Sequence, residues 1–288
     1  MSNYVIITDS SCDLAPETLR QWSVECINLT FHLEGSSQEY INSDMPSGVF
    51  YQRMREGSVF KTAAANMEDF CQVFEQKLQE GVDILYLGFS SGLSNTVCAG
   101  QMAATELMEK YPERRITVID TLCASAGQGM VVYLAVQKKQ SGASMEEVAA
   151  YVNGLLPHLC HWFTVDDLVY LKRGGRVSAA TALLGGILNI KPILHVDDEG
   201  HLISMSKVRG RRQSIQALAQ KYVETALNPE EGFYFICHGD CIDDAKALEN
   251  CLFEKYGAKA TMIVDVGPVI GSHSGPGTLA LFFLGKNR

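Results

Sequence analysis

VDILYLGFSSGLSNT (residues 82–96) is the stretch that decides the fold prediction. Its first part, VDILYL, is a continuous apolar run of strand length, which is typical of a strand buried on both faces of a parallel sheet. Its second part is rich in Gly and Ser, and the residues that follow have helical spacing. A buried strand, a polar loop and a helix in this order predict one half of a βαβ unit.

The same pattern continues on both sides of this stretch. YVIIT (4–8) and RITVID (115–120) predict two more strands, and helices are expected over 67–78, from about Ser94 to Tyr111 and from about Ser125 to Gln140. Ser144 and Glu147 form a capping box that opens a further helix. Strands separated by helices of this length predict right-handed crossovers and a parallel sheet with helices on both faces.

The character of the chain changes after Pro157. A short strand (161–165) and a short helix with Asp166 as its cap and Gly174 as its end come first, and VSAATALLGGILN (177–189) predicts a helix capped at Ser178. IKPILHV and LISMSKV flank DDEGH, which predicts a β-hairpin. Strand, helix and strand follow near 232–265. We therefore expect two domains, an α/β domain over 1–157 and a smaller α+β domain over 158–288.

Composition excludes several classes of protein. The chain has 288 residues, 47% hydrophobic and 20% charged, so it is long enough for one or two folded domains. Its formal net charge of −9 argues against nucleic acid and against anionic membranes. No apolar run reaches the length of a membrane span and the first residues do not form a signal peptide. Nine scattered cysteines without a C-x-x-C pair are typical of reduced thiols, so we expect a cytoplasmic protein.

Residues 88–92 also match the G-x-S-x-G template of a serine hydrolase, with Ser90 as the nucleophile. A hydrolase would need a histidine later in the chain, and His273 is one of the candidates. The spacing fits poorly, because helical spacing begins only at Ser94, four positions after Ser90. Ser94 is the better helix cap, and free N–H groups at a helix start favour an anion. We expect Ser94→Ala to weaken anion binding and Ser90→Ala to be nearly silent.

No nucleotide or metal site is predicted. Walker A is absent, and GQGMVV and GSHSGPG do not complete a dinucleotide fingerprint. HLCH (158–161) and CHGDC (237–241) lack a second pair of ligands at zinc-finger spacing. The chain on its own is therefore not expected to be a kinase or a dehydrogenase.

Six motifs, in order, resemble the DegV family over nearly the whole chain: VIITDSSCDL, GFSSGLSNT, VIDTLCASAGQG, YLKRGGRVSAATALLGGILNIKPIL, KVRGRR and GPVIGSHSGPGTLAL. The resemblance implies a two-domain protein that holds one long-chain fatty acid between its domains. It further implies that the chain is the non-catalytic acyl-binding subunit of a bacterial fatty acid kinase, with a separate ATP-binding subunit that phosphorylates the carboxylate. The acyl phosphate would then enter phospholipid synthesis. No cofactor other than the bound acid is implied.

The resemblance also assigns residues. Thr62 and Ser94 fall on the family's carboxylate contacts, and His273 lies near the same head group. Arg176 falls near the mouth of the site, and Arg209 falls on the kinase-docking arginine. Apart from the resemblance, the apolar run ALLGGILNI fits either a pocket wall, with Gly185 and Gly186 leaving room for a ligand, or a plain core helix.

One departure concerns residues 62–65. Many family members have Thr-Ser-Gln-Pro where this chain has Thr62 followed by Ala63, Ala64 and Ala65, so acyl-chain preference can differ. Two other hypotheses stay open at this point: a serine esterase that uses Ser90 and His273, and a lipid-responsive regulator or storage protein without a kinase.

Overall fold

The computed structural model of the chain describes residues 3–176, 189–257 and 259–288. The strands are β1 (Tyr4–Asp9), β2 (Val24–Ile27), β3 (Thr30–Leu33), β4 (Glu39–Tyr40), β5 (Phe60–Ala63), β6 (Asp83–Gly88), β7 (Ile116–Asp120), β8 (Leu159–Thr164), β9 (Ile190–Val196), β10 (Leu202–Arg209), β11 (Tyr234–His238), β12 (Met262–Asp265) and β13 (Leu279–Leu284). The helices are α1 (Pro16–Gln21), α2 (Ser47–Arg55), α3 (Met67–Gln79), α4 (Thr96–Lys110), α5 (Ala126–Gln140), α6 (Met145–Leu155), α7 (Val169–Gly174), α8 (Arg211–Thr225), α9 (Ile242–Tyr256) and α10 (Pro268–Ser274).

The predicted parallel sheet is confirmed. Its order is β2-β1-β6-β7 and every pairing in it is parallel. All six residues of β6 are buried, as the continuous apolar run predicted for a strand covered on both faces. The carboxyl ends of β1, β6 and β7 lie side by side, so the three polar loops that follow these strands meet at one edge of the sheet.

A second, six-stranded sheet forms from the later part of the chain, in the order β10-β9-β8-β13-β11-β12. The hairpin of β9 and β10 is antiparallel, as DDEGH predicted, whereas β11 and β12 are parallel. The four strands of the parallel sheet precede residue 157 and these six follow it. The division into domains at that residue stays a prediction, and one buried apolar cluster includes Ile6 and Phe282 from the two parts.

A small third sheet, β4-β3-β5, was not expected from the sequence. Phe31 on β3 and Phe60 on β5 are buried and pack edge-on against each other, and both contact Phe50 of α2. These aromatic contacts fix the position of β5, which carries Thr62.

Two predicted helix caps are wrong. Asn95, not Ser94, precedes the first residue of α4, and Leu168, not Asp166, precedes α7. Asp166 instead forms an ion pair with Lys191 at 2.7 Å, which the spacing along the chain could not show. The capping box of Ser144 and Glu147 is confirmed at the start of α6.

Two predictions lie outside the described residues. These are the helix over 177–189, with Ser178 at its start, and the pocket wall that contains Gly185 and Gly186.

Candidate functional site

A cavity of about 210 Å³ lies between the loop edge of the parallel sheet and the six-stranded sheet. Most of its wall is apolar, and examples are Leu29, Phe89, Leu171, Val196, Val269 and Phe282. The structure brings four of the five site residues predicted from the sequence to this one cavity: Thr62, Ser94, Arg176 and His273. A polar group of this kind beside an apolar cavity suits a ligand with one polar end and a long apolar body.

Thr62 and His273 form a direct pair. Thr62 Oγ1 on β5 lies 2.8 Å from His273 Nε2 on α10. His273 is mostly buried, and this burial, together with the positive charges of Arg176 and Lys61, lowers its pKa from 6.5 to about 4. The ring is therefore neutral at pH 7 and carries one proton.

The surroundings of His273 indicate which nitrogen holds that proton. Nδ1 lies so close to the backbone of Gly174 that a side chain at position 174 would overlap it. Nδ1 has no hydrogen-bond partner among the described residues. A buried N–H without an acceptor is rarer in proteins than an acceptor without a donor. We therefore place the proton on Nε2, which donates to Thr62 Oγ1. The Thr62 hydroxyl proton is then free to bind a carboxylate in the cavity.

Ser94 stands just before α4. Its Oγ lies 2.8 Å from Thr96 Oγ1 and accepts a weaker bond from the Thr96 N–H at 3.3 Å. Ser94 lies two residues before Thr96, the first residue of α4, and its hydroxyl accepts from a backbone N–H at the helix start. Asn95 nevertheless holds the cap position. The N-terminus of this 15-residue helix faces the cavity through Ser94 and Asn95, which adds a favourable field for an anion.

Ser90 does not have the surroundings of a nucleophile. It is fully buried, its Oγ donates to the carbonyl of Gly200 at 2.9 Å, and it accepts from the N–H of Gly92 at 3.1 Å. A serine nucleophile needs an adjacent general base, but the side-chain partner of His273 is Thr62. The geometry does not favour the esterase hypothesis, and it gives Ser90 the role of attaching the 88–94 loop to the turn between β9 and β10.

Asp9 is a structural residue of the site that the sequence reasoning did not single out. It is fully buried at the end of β1 and accepts hydrogen bonds from the Phe89 N–H at 2.9 Å and from the Tyr86 hydroxyl at 2.7 Å. Burial raises the pKa of its carboxyl group, and these hydrogen bonds oppose the rise. Asp9 thus fixes the start of the loop that leads to Ser94; the polar segment TDSSCD was the available signal.

The two arginines occupy different places. Arg176 is exposed at the rim of the cavity, where it donates to the carbonyl of Gly174 and, at 3.4 Å, to that of Leu93. Arg209 is exposed at the end of β10, an edge strand, and is not among the residues that line the cavity.

The floor of the cavity was missed by the sequence reasoning. His161 and Phe163 of β8 line it together with Ala280 and Phe282 of β13. The two strands are neighbours, and His161 pairs with Phe282. Alternate residues of a strand face the same side, but a sequence does not reveal which side will meet a cavity.

Comparison with known proteins gives a consistent result. A family model described as "Uncharacterised protein, DegV family" matches residues 3–286. A DegV domain-containing protein of Clostridium perfringens is 41% identical over the whole of this chain and 99% of its own length.

Solved structures extend the comparison. A DegV-family protein from Thermus thermophilus, described as showing fatty acid binding, is 31% identical with a TM-score of 0.85, over 97% of this chain and 98% of its own. A Thermotoga maritima protein, described as revealing a fatty acid binding function, is 28% identical with a TM-score of 0.83, over 98% and 99% of the two chains. In the part of this chain that the structure describes, no helix has both the length and the apolar character required to cross a bilayer.

Proposed function

Because the chain belongs to the DegV family, whose model matches residues 3–286, we propose that it binds one long-chain fatty acid in the cavity and presents the carboxylate to a separate ATP-dependent kinase subunit. The observation that carries the proposal is that Thr62, Ser94 and His273 line one cavity whose wall is mostly apolar, with Thr62 and His273 in direct contact. The fatty acid binding described for the Thermus and Thermotoga relatives supports it.

The head group would lie between β5, α10 and the start of α4. The Thr62 and Ser94 hydroxyls donate to the carboxylate, and the positive end of α4 stabilises its charge. Neutral His273 orients the Thr62 hydroxyl instead of forming an ion pair. A carboxylate held by hydroxyls in this way keeps one oxygen accessible, as a phosphoryl acceptor requires.

Burial of the acyl chain supplies most of the affinity. Each buried CH₂ contributes about 0.8 kcal/mol, so fourteen methylenes contribute roughly 11 kcal/mol before the cost of association. The polar contacts then determine orientation. Ala64 lines the cavity at the point where the chain departs from the Thr-Ser-Gln-Pro pattern, so acyl preference is where we expect this chain to differ from its relatives.

In this proposal the two proteins contribute different parts of the phosphoryl-transfer reaction. Phosphoryl transfer needs positioning and charge stabilisation, which the Mg²⁺–ATP site of a partner subunit provides. This chain supplies the bound acceptor, with Arg176 at the rim and Lys61 close enough to affect the pKa of His273. We place the docking contact at Arg209, on the exposed edge strand.

The test of this role is acyl-phosphate formation by the purified chain, ATP and a cognate kinase subunit, with hydroxylamine trapping of the product. Arg209→Ala should retain the bound lipid and slow product formation roughly tenfold or more. Lys207→Ala, an exposed cation two positions away on the same strand, is the matched control and should remain close to wild type. Equal rates for wild type and Arg209→Ala would remove docking from Arg209, and no product from the wild-type chain with any kinase subunit would remove the kinase role.

A further inference from the structure

The cavity contains a second polar group, formed by Ser125, His161 and Cys237. A saturated acyl chain offers these side chains no hydrogen bond. The second group therefore needs an explanation that the head-group residues do not provide.

Helix α10 sets the distance between the two polar groups. One face of the helix runs along the cavity, because its lining includes Val269, Ile270, His273 and Ser274, together with Val266 just before the helix. Asp13 joins Ser125 to the start of this helix, because its carboxyl group accepts from Ser125 Oγ and, at 3.0 Å, from the Gly267 N–H. His273 is six residues after Gly267, which places the two ends about 9 Å apart along the axis.

The strand register places His161 deeper still. Cys237, Ala280 and Phe163 lie side by side on β11, β13 and β8 and form one row of the floor. His161 is two residues before Phe163, on the same face, about 7 Å further from the end of β8 that leads to α7 and the head-group residues. The second polar group therefore lies beside the middle of a chain whose carboxylate is at Thr62.

Ser125 has an unusual backbone. Its φ of 54° and ψ of −144° belong to a region that residues other than Gly rarely adopt, and such strain is concentrated at functional sites. Its Oγ contacts Asp13 and lies 3.3 Å from Cys237 Sγ. The hydroxyl has lone pairs besides the one donated proton, so it can also accept from a ligand.

His161 adds an acceptor. Its Nδ1 lies 3.2 Å from the carbonyl of Leu159, which can only accept, so Nδ1 carries the ring proton. Nε2 is then an acceptor; it is buried against Gly127 and has no partner among the described residues. Because His161 lines the cavity, this nitrogen is a second acceptor, deeper than Ser125.

We propose that the cavity is built for a long-chain fatty acid with a hydroxyl group near the middle of its chain, which donates its proton to Ser125 Oγ. The inference rests on the proposed function, because it takes the carboxylate to be at Thr62. An extended chain advances about 1.2 Å per bond, as a polypeptide with three bonds per residue does. A distance of about 9 Å therefore corresponds to a hydroxyl near carbon 8 to 10.

The experiment measures competition by native mass spectrometry on the delipidated full chain. The ligands are stearic acid, 10-hydroxystearic acid, 10-oxostearic acid and 18-hydroxystearic acid. The first variant is Ser125→Gly, which removes the hydroxyl while allowing the positive φ. The second is His161→Phe, which replaces the imidazole with an apolar ring. Because each variant is compared by the ratio of two ligands, a general loss of stability does not alter the result.

We expect the wild type to bind 10-hydroxystearic acid at least as tightly as stearic acid, and 18-hydroxystearic acid about tenfold or more weakly, because its hydroxyl is buried without a partner. Ser125→Gly should lower the ratio of 10-hydroxystearic to stearic acid roughly tenfold, and an unchanged ratio would overturn the proposal. His161→Phe, which alters a side chain about 7 Å deeper in the cavity, should lower this ratio less. Weaker binding of the 10-oxo acid would identify the hydroxyl proton as the recognised group. Equal binding would assign recognition to the ligand oxygen as an acceptor, which overturns the acceptor role of Ser125.

Two results would overturn the proposal. If stearic acid binds but the wild type rejects the 10-hydroxy and 18-hydroxy acids equally, the mid-chain site is wrong and the proposed function stands. If stearic acid does not bind either, the proposed function fails and this inference fails with it.

Discussion

Thr62 Oγ1 and His273 Nε2 lie 2.8 Å apart although 211 positions separate them in the chain. The contact joins an edge strand of the small sheet to α10, a helix that follows the six-stranded sheet's β12. The head-group end of the cavity is therefore assembled from both parts of the chain, and neither part contains it alone.

The first prediction concerns Thr62. Thr62→Val keeps the shape of the side chain and removes the hydroxyl, so fatty-acid affinity should fall about tenfold or more, as expected for one hydrogen bond to a charged group. Thr62→Ser retains the hydroxyl and is the control. Displacement binding with oleic acid and its methyl ester measures the effect: the wild type should prefer the free acid, and Thr62→Val should lose most of that preference. An unchanged preference would show that Thr62 does not contact the carboxylate.

The second prediction is a pH dependence from His273. Its pKa is about 4 in the folded chain and 6.5 without the fold. Between these values the unfolded state binds more protons, so the free energy of unfolding falls as pH decreases from 6.5 to 4, by at most about 3 kcal/mol from this residue. Urea unfolding of wild type and His273→Gln across this range measures the difference. The free energy of unfolding of His273→Gln should change less with pH than that of the wild type. The same change with pH in both proteins would contradict the burial of a neutral ring.

The third prediction concerns Asp13, whose pKa burial raises from 3.8 to about 8. Here the folded state binds the extra proton, so the free energy of unfolding falls as pH rises through this window. Asp13→Asn keeps an acceptor for Gly267 and a partner for Ser125 without the charge. Relative to wild type, the variant should gain stability between pH 5 and pH 8, by at most about 4 kcal/mol. A variant that is equally destabilised at every pH would show that the carboxyl group is needed as such.

The fourth prediction separates Ser90 from Ser94. Ser90→Ala removes two buried hydrogen bonds, so it should lower the free energy of unfolding by about 1–3 kcal/mol. Its effect on presentation of the head group should still be nearly silent. Ser94→Ala should instead lower fatty-acid affinity about tenfold with little effect on stability. Ser91→Ala is an exposed control. Covalent labelling of Ser90 by a fluorophosphonate would contradict this assignment and revive the esterase.

The sequence was sufficient for the local parts of the fold. The apolar run at β6 predicted a doubly covered strand, and DDEGH predicted the hairpin of β9 and β10, because both signals depend on neighbouring residues. The small sheet was missed, because a strand of two residues such as β4 leaves no periodic pattern.

The site was less accessible to sequence reasoning. Thr62 has no local feature that indicates a ligand, and its assignment came from the resemblance to a family. Asp9, Ser125 and His161 acquire their roles from contacts with residues far away in the chain, such as Phe89, Asp13 and Phe282. Long-range register decides which side chains meet, and a single sequence does not specify it.

The measurement that tests the central claim most directly is mass spectrometry of the chain purified from a bacterial host, first native and then after solvent extraction. The account predicts one long-chain fatty acid per chain, released by solvent without a covalent adduct. A protein that is empty after purification and that takes up no fatty acid when one is added would contradict it.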